Sequence, residues 1–199
     1  MINVAFAGIV AYFIGSIPFS IVITRTLTGE DVRAKGSGHA GATNTMRTAG
    51  WWAGVIVLVL DIAKGSLAIW VADLMAGGGL PPALIRSMAA ALVVIGHCWP
   101  ILAGFRGGMG MATAGGALLY VWPLGFVLGV GLAATAQLIV RHSARGNIVT
   151  GLLLGPLWAL FGVGWDRLGT ALAVGVVVAA RAISDWNREY RELWFDREE

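Results

Sequence analysis

The chain has 199 residues, of which 57% are hydrophobic and 13% are charged, with a formal net charge of +3. Soluble domains usually carry about 25% charged residues, so this composition excludes an ordinary soluble domain, a disordered chain and a collagen-like repeat. Cys98 is the only cysteine, which excludes an intrachain disulfide framework. The remaining class is an integral membrane protein, in which a basic balance reports topology rather than nucleic-acid binding.

The apolar segments predict a bundle of membrane helices. Seven follow one another at about 2–23, 52–72, 84–102, 111–121, 124–140, 148–163 and 168–183. A spanning helix needs roughly 20 apolar residues, so we predict an all-α integral membrane protein, a bundle of about seven transmembrane helices with short loops. In this prediction residues 1–199 form one domain, and residues 184–199 form its charged, aromatic interfacial tail.

Lysine and arginine divide unequally between alternate connections of this bundle. Arg86 and Arg167 fall on one side. The other side receives Arg25, Arg33, Lys35, Arg47, Arg106, Arg141, Arg145, Arg181, Arg188, Arg191 and Arg197. Because positively charged loops stay in the cytoplasm, we expect the N-terminus outside the cell and the C-terminus inside.

A glycine-rich stretch occupies the longest predicted cytoplasmic connection, residues 24–50. Its glycines allow positive φ angles, and successive N–H groups in such a loop form anion-binding nests. Hydrogen-bonding side chains and a guanidinium suited to phosphate accompany them. The residues concerned are Gly36, Ser37, Gly38, His39, Gly41, Thr43, Asn44 and Arg47. We interpret the stretch as a phosphate cradle, in which His39 is a donor or a base; a flexible connection with a helix cap is the alternative.

A second glycine-rich loop lies on the same predicted side. It contains Arg106, Gly107, Gly108 and Gly110, and it leads into the apolar segment that carries Thr113. A helix N-terminus offers unpaired N–H groups and a partial positive charge to an anion. Two such loops predict two anionic ligands or one ligand with two anionic groups. Close packing of helices at the glycines is the alternative.

Two charges and a histidine interrupt the apolar segments. Asp61 and Lys64 are three residues apart, a spacing that lets them pair on one face of a helix. A structural ion pair is one interpretation, and a part in holding the active site is the other. His97 precedes the second glycine loop, where it orients that loop, accepts a proton or makes a structural hydrogen bond.

Five motifs in order resemble one known family. They are Gly15-Ser16-Ile17-Pro18, the stretch 36–44 followed by Arg47, Asp61-x-x-Lys64-Gly65, Gly96-His97-x-x-Pro100, and the stretch 105–113. Together they resemble the PlsY family of bacterial acyl-phosphate:glycerol-3-phosphate acyltransferases. The match covers about residues 12–115, and the number of apolar segments extends it along the chain.

The resemblance implies a membrane enzyme of the bacterial inner membrane that moves a fatty acyl group from acyl phosphate to glycerol 3-phosphate, giving lysophosphatidic acid and phosphate. It implies no cofactor, no metal and no nucleic acid. The implied partners are the lipid bilayer and both substrates, with the enzyme that makes acyl phosphate as a candidate. By the resemblance, Ser37, Asn44 and Asn187 are catalytic. His39, as a donor or a base, is the fourth predicted catalytic residue. The implied substrate-binding residues are Gly36, Gly38, Gly41, Thr43, Arg47, His97, Arg106, Gly107, Gly108, Gly110 and Thr113.

Three positions depart from the family pattern. His39 stands where the family usually has asparagine, Met109 where it has lysine, and Ser184 where it has histidine. A diverged member without catalysis is therefore an alternative function. A small anion transporter is another, because glycine-interrupted helices with intramembrane charges also suit transporters.

Overall fold

The computed structural model describes residues 2–76 and 81–188. Across these ranges the chain forms α-helices joined by short connections, and no strand occurs in them. The helices are α1 (Ile2–Gly15), α2 (Phe19–Thr28), α3 (Ala42–Ala49), α4 (Trp51–Leu74), α5 (Pro82–Cys98), α6 (Met111–Val121), α7 (Pro123–Val140), α8 (Ser143–Leu160) and α9 (Trp165–Ile183). Single 3₁₀ turns occur at Val32–Ala34 and Ile101–Ala103.

The predicted all-α membrane fold is confirmed, and each of the seven apolar segments coincides with helix. Four stretches of the described chain are long and apolar enough to cross a membrane: Ala5–Thr28, Trp51–Leu74, Pro82–Ala103 and Pro123–Val140. The apolar helix α6 is shorter, with 11 residues. Crossings by α6, α8 and α9 therefore stay predictions.

The first apolar segment, at about 2–23, lies in a stretch long enough to span but is divided between two helices. Helix α1 ends at Gly15, and α2 begins at Phe19 and continues to Thr28. Pro18 lies in the break, where its missing N–H cannot join a helical ladder. The Lys64 ammonium, from α4, donates to the Ile17 carbonyl at 3.1 Å, so the break supplies an acceptor to a buried charge.

Glycines bring the helices into backbone contact. A Cβ on Gly65 of α4 would overlap the Thr113 carbonyl of α6, and one on Gly116 of α6 would overlap the Ile62 carbonyl. Gly151 of α8 and Gly175 of α9 meet in the same way. Small residues allow this close approach between helices in lipid. These contacts fix α4 against α6 and α8 against α9.

The segment after α9 turns back towards the rest of the molecule. Asp185 N–H donates to the Ala182 carbonyl and Arg188 N–H to the Asp185 carbonyl. The Arg145 guanidinium lies 5.1 Å from the centre of the Trp186 ring. Of the predicted interfacial tail, residues 189–199 lie outside the described residues, as do Arg191 and Arg197.

Candidate active site

The two glycine-rich loops touch each other. Ala40 N–H donates to the Gly107 carbonyl at 3.4 Å. A Cβ on Gly108 would lie 2.5 Å from the Ala40 carbonyl oxygen and would overlap the His97 ring. The loops therefore lie on the same side of the bundle and in contact, as the sequence predicts for a shared anion site.

A cavity of about 770 Å³ opens beside this contact and has two chemically different ends. One end is polar and is lined by Ser37, His39, Gly41, Thr43, Asn44, Arg47, Asp61, His97 and Gly110. The other is an apolar groove, lined by Leu58, Leu118, Phe126, Val130, Leu154, Val174 and Val178. The arrangement suits a ligand with an anionic head and a long apolar chain.

Three helices begin at the polar end. Helix α3 starts after Gly41 and α6 after Gly110, and neither has a side-chain cap on its first N–H groups. Helix α8 starts after His142, whose Nδ1 accepts from Arg145 N–H. Gly41, Gly110 and His142 all line the cavity. The first turns carry unpaired N–H groups and positive dipole ends, so the backbone makes this end attractive to anions.

Asn44 shapes the first loop from within. Its amide nitrogen donates to the carbonyls of Val32, Lys35 and His39 at 2.8, 3.0 and 3.0 Å. Its oxygen accepts from Ser37 N–H at 3.2 Å. These contacts occupy the amide, so Asn44 holds Ser37 and the rest of the loop in place from the cavity wall. Ser37, Thr43 and Arg47 line the cavity beside it.

His39 is paired with the segment after α9. Its Nε2 lies 2.6 Å from Asp185 Oδ2, and both side chains are 9% exposed. Arg188 donates to the Ser37 carbonyl at 2.7 Å, and Arg181 Nη1 lies 3.3 Å from Asp185 Oδ2. Burial lowers the pKa of His39, while the Asp185 carboxylate opposes that shift. The pair ties the first loop to the end of α9.

The second loop differs in part from the predicted nest. Gly107 and Gly108 donate their N–H groups to the Cys98 and His97 carbonyls at 3.1 and 3.2 Å. These amides therefore anchor the loop to α5 and are not available to an anion. Arg106 is exposed and lies outside the cavity lining, while Gly110 lines it. The anion-facing part of this loop is the start of α6.

The predicted Asp61–Lys64 pair forms and extends to the histidine. Lys64 Nζ lies 2.8 Å from Asp61 Oδ1, and both side chains are 3% exposed. His97 Nδ1 lies 3.5 Å from the same carboxylate oxygen and 3.1 Å from the Thr113 hydroxyl. Asp61 and His97 line the cavity. The pair thus holds one wall of the site, so both interpretations of it apply.

Other predicted residues fall at the edge of the site. Gly36 and Gly38 have positive φ angles of 55° and 70° and bend the first loop without lining the cavity. Asn187 is exposed and is not part of the lining; Asp185 and Arg188, two residues that sequence reasoning missed, make the tail's contacts instead. Met109 packs against Ala144 and Ala182. Within the described ranges no three His, Cys, Asp or Glu residues are grouped to hold a metal ion.

Known proteins resemble the chain over most of its length. The family profile described as Glycerol-3-phosphate acyltransferase matches residues 5–194. A glycerol-3-phosphate acyltransferase of Syntrophomonas wolfei is 34% identical, over 88% of this chain and 85% of that one. One of Chlorobaculum tepidum is 40% identical over 72% of this chain, which spans 65% of that relative's length.

Solved structures also resemble it. The crystal structure of PlsY in its glycerol 3-phosphate form superposes with a TM-score of 0.78 at 30% identity, over 93% of this chain and 90% of that one. The lysophosphatidic acid form of PlsY gives a TM-score of 0.76 at 27% identity, with the same shares.

Proposed function

The chain belongs to the glycerol-3-phosphate acyltransferase family, and from that membership we propose that it moves a fatty acyl group from acyl phosphate to a hydroxyl of glycerol 3-phosphate. The products are lysophosphatidic acid and inorganic phosphate. One observation carries the proposal: a single cavity joins Arg47 and three helix N-termini at one end to an apolar groove at the other. Both substrates are anionic, and one has an acyl chain.

The reaction needs positioning more than an activated side chain. The hydroxyl oxygen attacks the acyl carbon, the bond from that carbon to the phosphate oxygen breaks, and the departing phosphate takes the hydroxyl proton. Acyl phosphate is already an activated mixed anhydride, so a covalent enzyme intermediate is unnecessary. Holding the two anions side by side, with fixed donors facing the charge that develops, supplies most of the acceleration.

The described residues divide the work. Ser37, Thr43 and Arg47, with the start of α3, hold one phosphate group. The start of α6 at Gly110 holds the second, and His97 with Thr113 supports that wall. Asn44 and His39 keep the first loop in shape through the contacts described above. Arg106 lies outside the cavity, where its charge attracts anionic substrates at longer range.

The membrane arrangement follows from charge. We propose that the protein lies in a bacterial inner membrane with its N-terminus outside and its C-terminus and active site in the cytoplasm, supported by the unequal division of Lys and Arg. The acyl donor then enters from the cytoplasmic leaflet, where the enzyme that makes acyl phosphate is a candidate partner. The transporter and the non-catalytic alternatives are not favoured, because the matched relatives carry acyltransferase names.

The test uses purified full-length protein in detergent with acyl phosphate and glycerol 3-phosphate. Release of inorganic phosphate and appearance of lysophosphatidic acid are followed together. We expect both, in equal amounts and only when both substrates are present. Phosphate release without an acylated product, or no turnover at all, overturns the proposed function.

A further inference from the structure

Two amide side chains in the cavity wall belong to neither glycine loop. Gln137 lies near the end of α7 and Asn147 lies one turn into α8, and both line the cavity. Gln137 Nε2 donates to Asn147 Oδ1 at 2.8 Å and to the Ser143 carbonyl at 3.2 Å. Because a carbonyl only accepts, the second bond fixes which end of the Gln137 amide is nitrogen. Asn147 therefore presents its oxygen to Gln137.

The Asn147 amide nitrogen is left facing the cavity. The residue is 4% exposed, and no acceptor pairs with Nδ2 in residues 2–76 and 81–188. The sealed side-chain polar atoms without a partner in these ranges are Thr24 Oγ1, Thr170 Oγ1 and Arg181 Nε. Asn147 Nδ2 also lacks a partner in these ranges but is not sealed. It is therefore exposed to the cavity that Asn147 lines. A buried donor of this kind is costly unless something accepts from it.

Helix α8 places this donor at the boundary between the two ends of the cavity. Ser143, at the start of α8, lies at the anion-binding end. Leu154, in the apolar groove, follows Asn147 by seven residues, or about 10 Å at 1.5 Å per residue. An acyl phosphate carries one polar group at the corresponding boundary, the carbonyl that joins the chain to the phosphate.

We propose that Asn147, held in place by Gln137, donates a hydrogen bond to the carbonyl oxygen of the acyl donor. The proposal rests on the proposed function. When the acceptor hydroxyl attacks the acyl carbon, the carbonyl oxygen gains negative charge. The charge is lost when the bond between the acyl carbon and the phosphate oxygen breaks and phosphate leaves with the hydroxyl proton. A donor fixed before the reaction stabilises that charge more than it stabilises the neutral carbonyl. Asn147 is then a catalytic residue and Gln137 a positioning residue.

Two substitutions of Asn147 test this. Asn147→Leu removes both N–H groups at similar volume. Asn147→Asp also removes them but keeps an oxygen for Gln137, so it preserves the contact between α7 and α8. Thr150→Val is the matched control, because Thr150 lines the same wall and its hydroxyl already donates to the Gly146 carbonyl at 2.8 Å.

We expect kcat to fall about 100- to 1,000-fold in both Asn147 variants, the usual loss for one donor to a developing oxyanion. In Asn147→Leu the KM for acyl phosphate stays near its wild-type value, because the neutral carbonyl gains little from the bond; in Asn147→Asp the added carboxylate repels the anionic donor and raises the KM as well. Gln137→Leu lowers kcat less, since Asn147 keeps its donor but loses its orientation. Thr150→Val keeps the wild-type kcat, and thermal unfolding shows that the variants fold.

Three outcomes overturn this inference and leave the proposed function standing. They are a wild-type kcat in folded Asn147→Asp, an equal loss in Thr150→Val, and a raised KM with kcat unchanged. Absence of acyl transfer by the wild-type protein overturns the proposed function itself. The two failures are distinguishable because the second is seen without any variant.

Discussion

Gly108 lies against His97 so closely that a single added carbon would overlap the imidazole ring. The same carbon would lie 2.5 Å from the Ala40 carbonyl oxygen of the other loop. Gly108 therefore sets how near the two glycine loops approach. The spacing of the two proposed phosphate positions therefore depends on a residue that contributes no side chain.

Gly108→Leu is expected to abolish acyl transfer, because the side chain must separate the two loops. The measurement is the release of inorganic phosphate from acyl phosphate in the presence of glycerol 3-phosphate. Gly131→Leu is the matched control for the added side chain, since a Cβ at Gly131 meets nothing within 4 Å and Gly131 does not line the cavity. Full turnover by Gly108→Leu would show that the contact between the two glycine-rich loops is not needed for acyl transfer.

Arg47→Ala is expected to lower kcat/KM about 10- to 100-fold. A hydrogen bond to a charged group contributes about 1.5–3 kcal/mol, and Arg47 lines the polar end of the cavity. Arg47→Lys recovers only part of the loss, because an ammonium lacks the bidentate geometry of guanidinium. Arg25→Ala is the control, since Arg25 is 61% exposed in its ion pair with Asp31. If Arg25→Ala lowers kcat/KM by as much, the loss in Arg47→Ala comes from the change in overall charge and not from a contact in the cavity.

Gly129→Leu is expected to shift the enzyme towards shorter acyl chains. Leu118 and Leu154 converge on Gly129, each with a methyl 3.4 Å from a Cβ placed there, so a larger side chain fills the apolar groove. The measurement is kcat/KM for acyl phosphates of increasing length. Gly131→Leu controls for added bulk, because a Cβ at Gly131 meets nothing within 4 Å. An unchanged chain-length profile in Gly129→Leu would place the acyl chain elsewhere.

The stability of the protein is expected to fall as pH drops below the ordinary histidine range. Burial lowers the pKa of His39 in the folded protein, against the opposing Asp185 and with Arg181 and Arg188 also nearby. The unfolded chain therefore binds a proton first, near pH 6.5. Stability is full above that pH and is lost as pH falls through the lower pKa of the folded state.

Thermal unfolding between pH 8 and pH 5 measures this effect. His39→Asn should flatten the curve over that range, because it removes the proton-binding group. A curve unchanged by His39→Asn would assign the pH dependence to another group.

The sequence predicts the helices and the two loops well because both depend on local signals. Apolar length marks a membrane helix, and glycine beside serine and arginine marks an anion-binding turn. The break at Pro18 is also local, but the apolar run on both sides of it hides the interruption. The short helix α3 is not predicted, because it lies inside a polar connection.

Contacts between residues that are far apart in the sequence leave no local sequence signal. His39 and Asp185 are 146 positions apart. Asn187, the tail residue that the resemblance implies, lies two positions after Asp185, which is the residue that pairs. The Gln137–Asn147 contact spans a turn between two helices, and neither residue belongs to a motif. The hydrogen bonds from the Gly107 and Gly108 amides to α5 likewise depend on packing, so the sequence indicates the loop but not which of its N–H groups face the cavity.

The convergence of α3, α6 and α8 on one cavity has an electrical consequence. Peptide dipoles hold no ionisable proton, and no substitution of one side chain deletes them. Attraction for anions therefore comes from the path of the backbone, and it is present at any pH at which the protein stays folded. A basic side chain can be replaced at one position while the underlying positive potential stays.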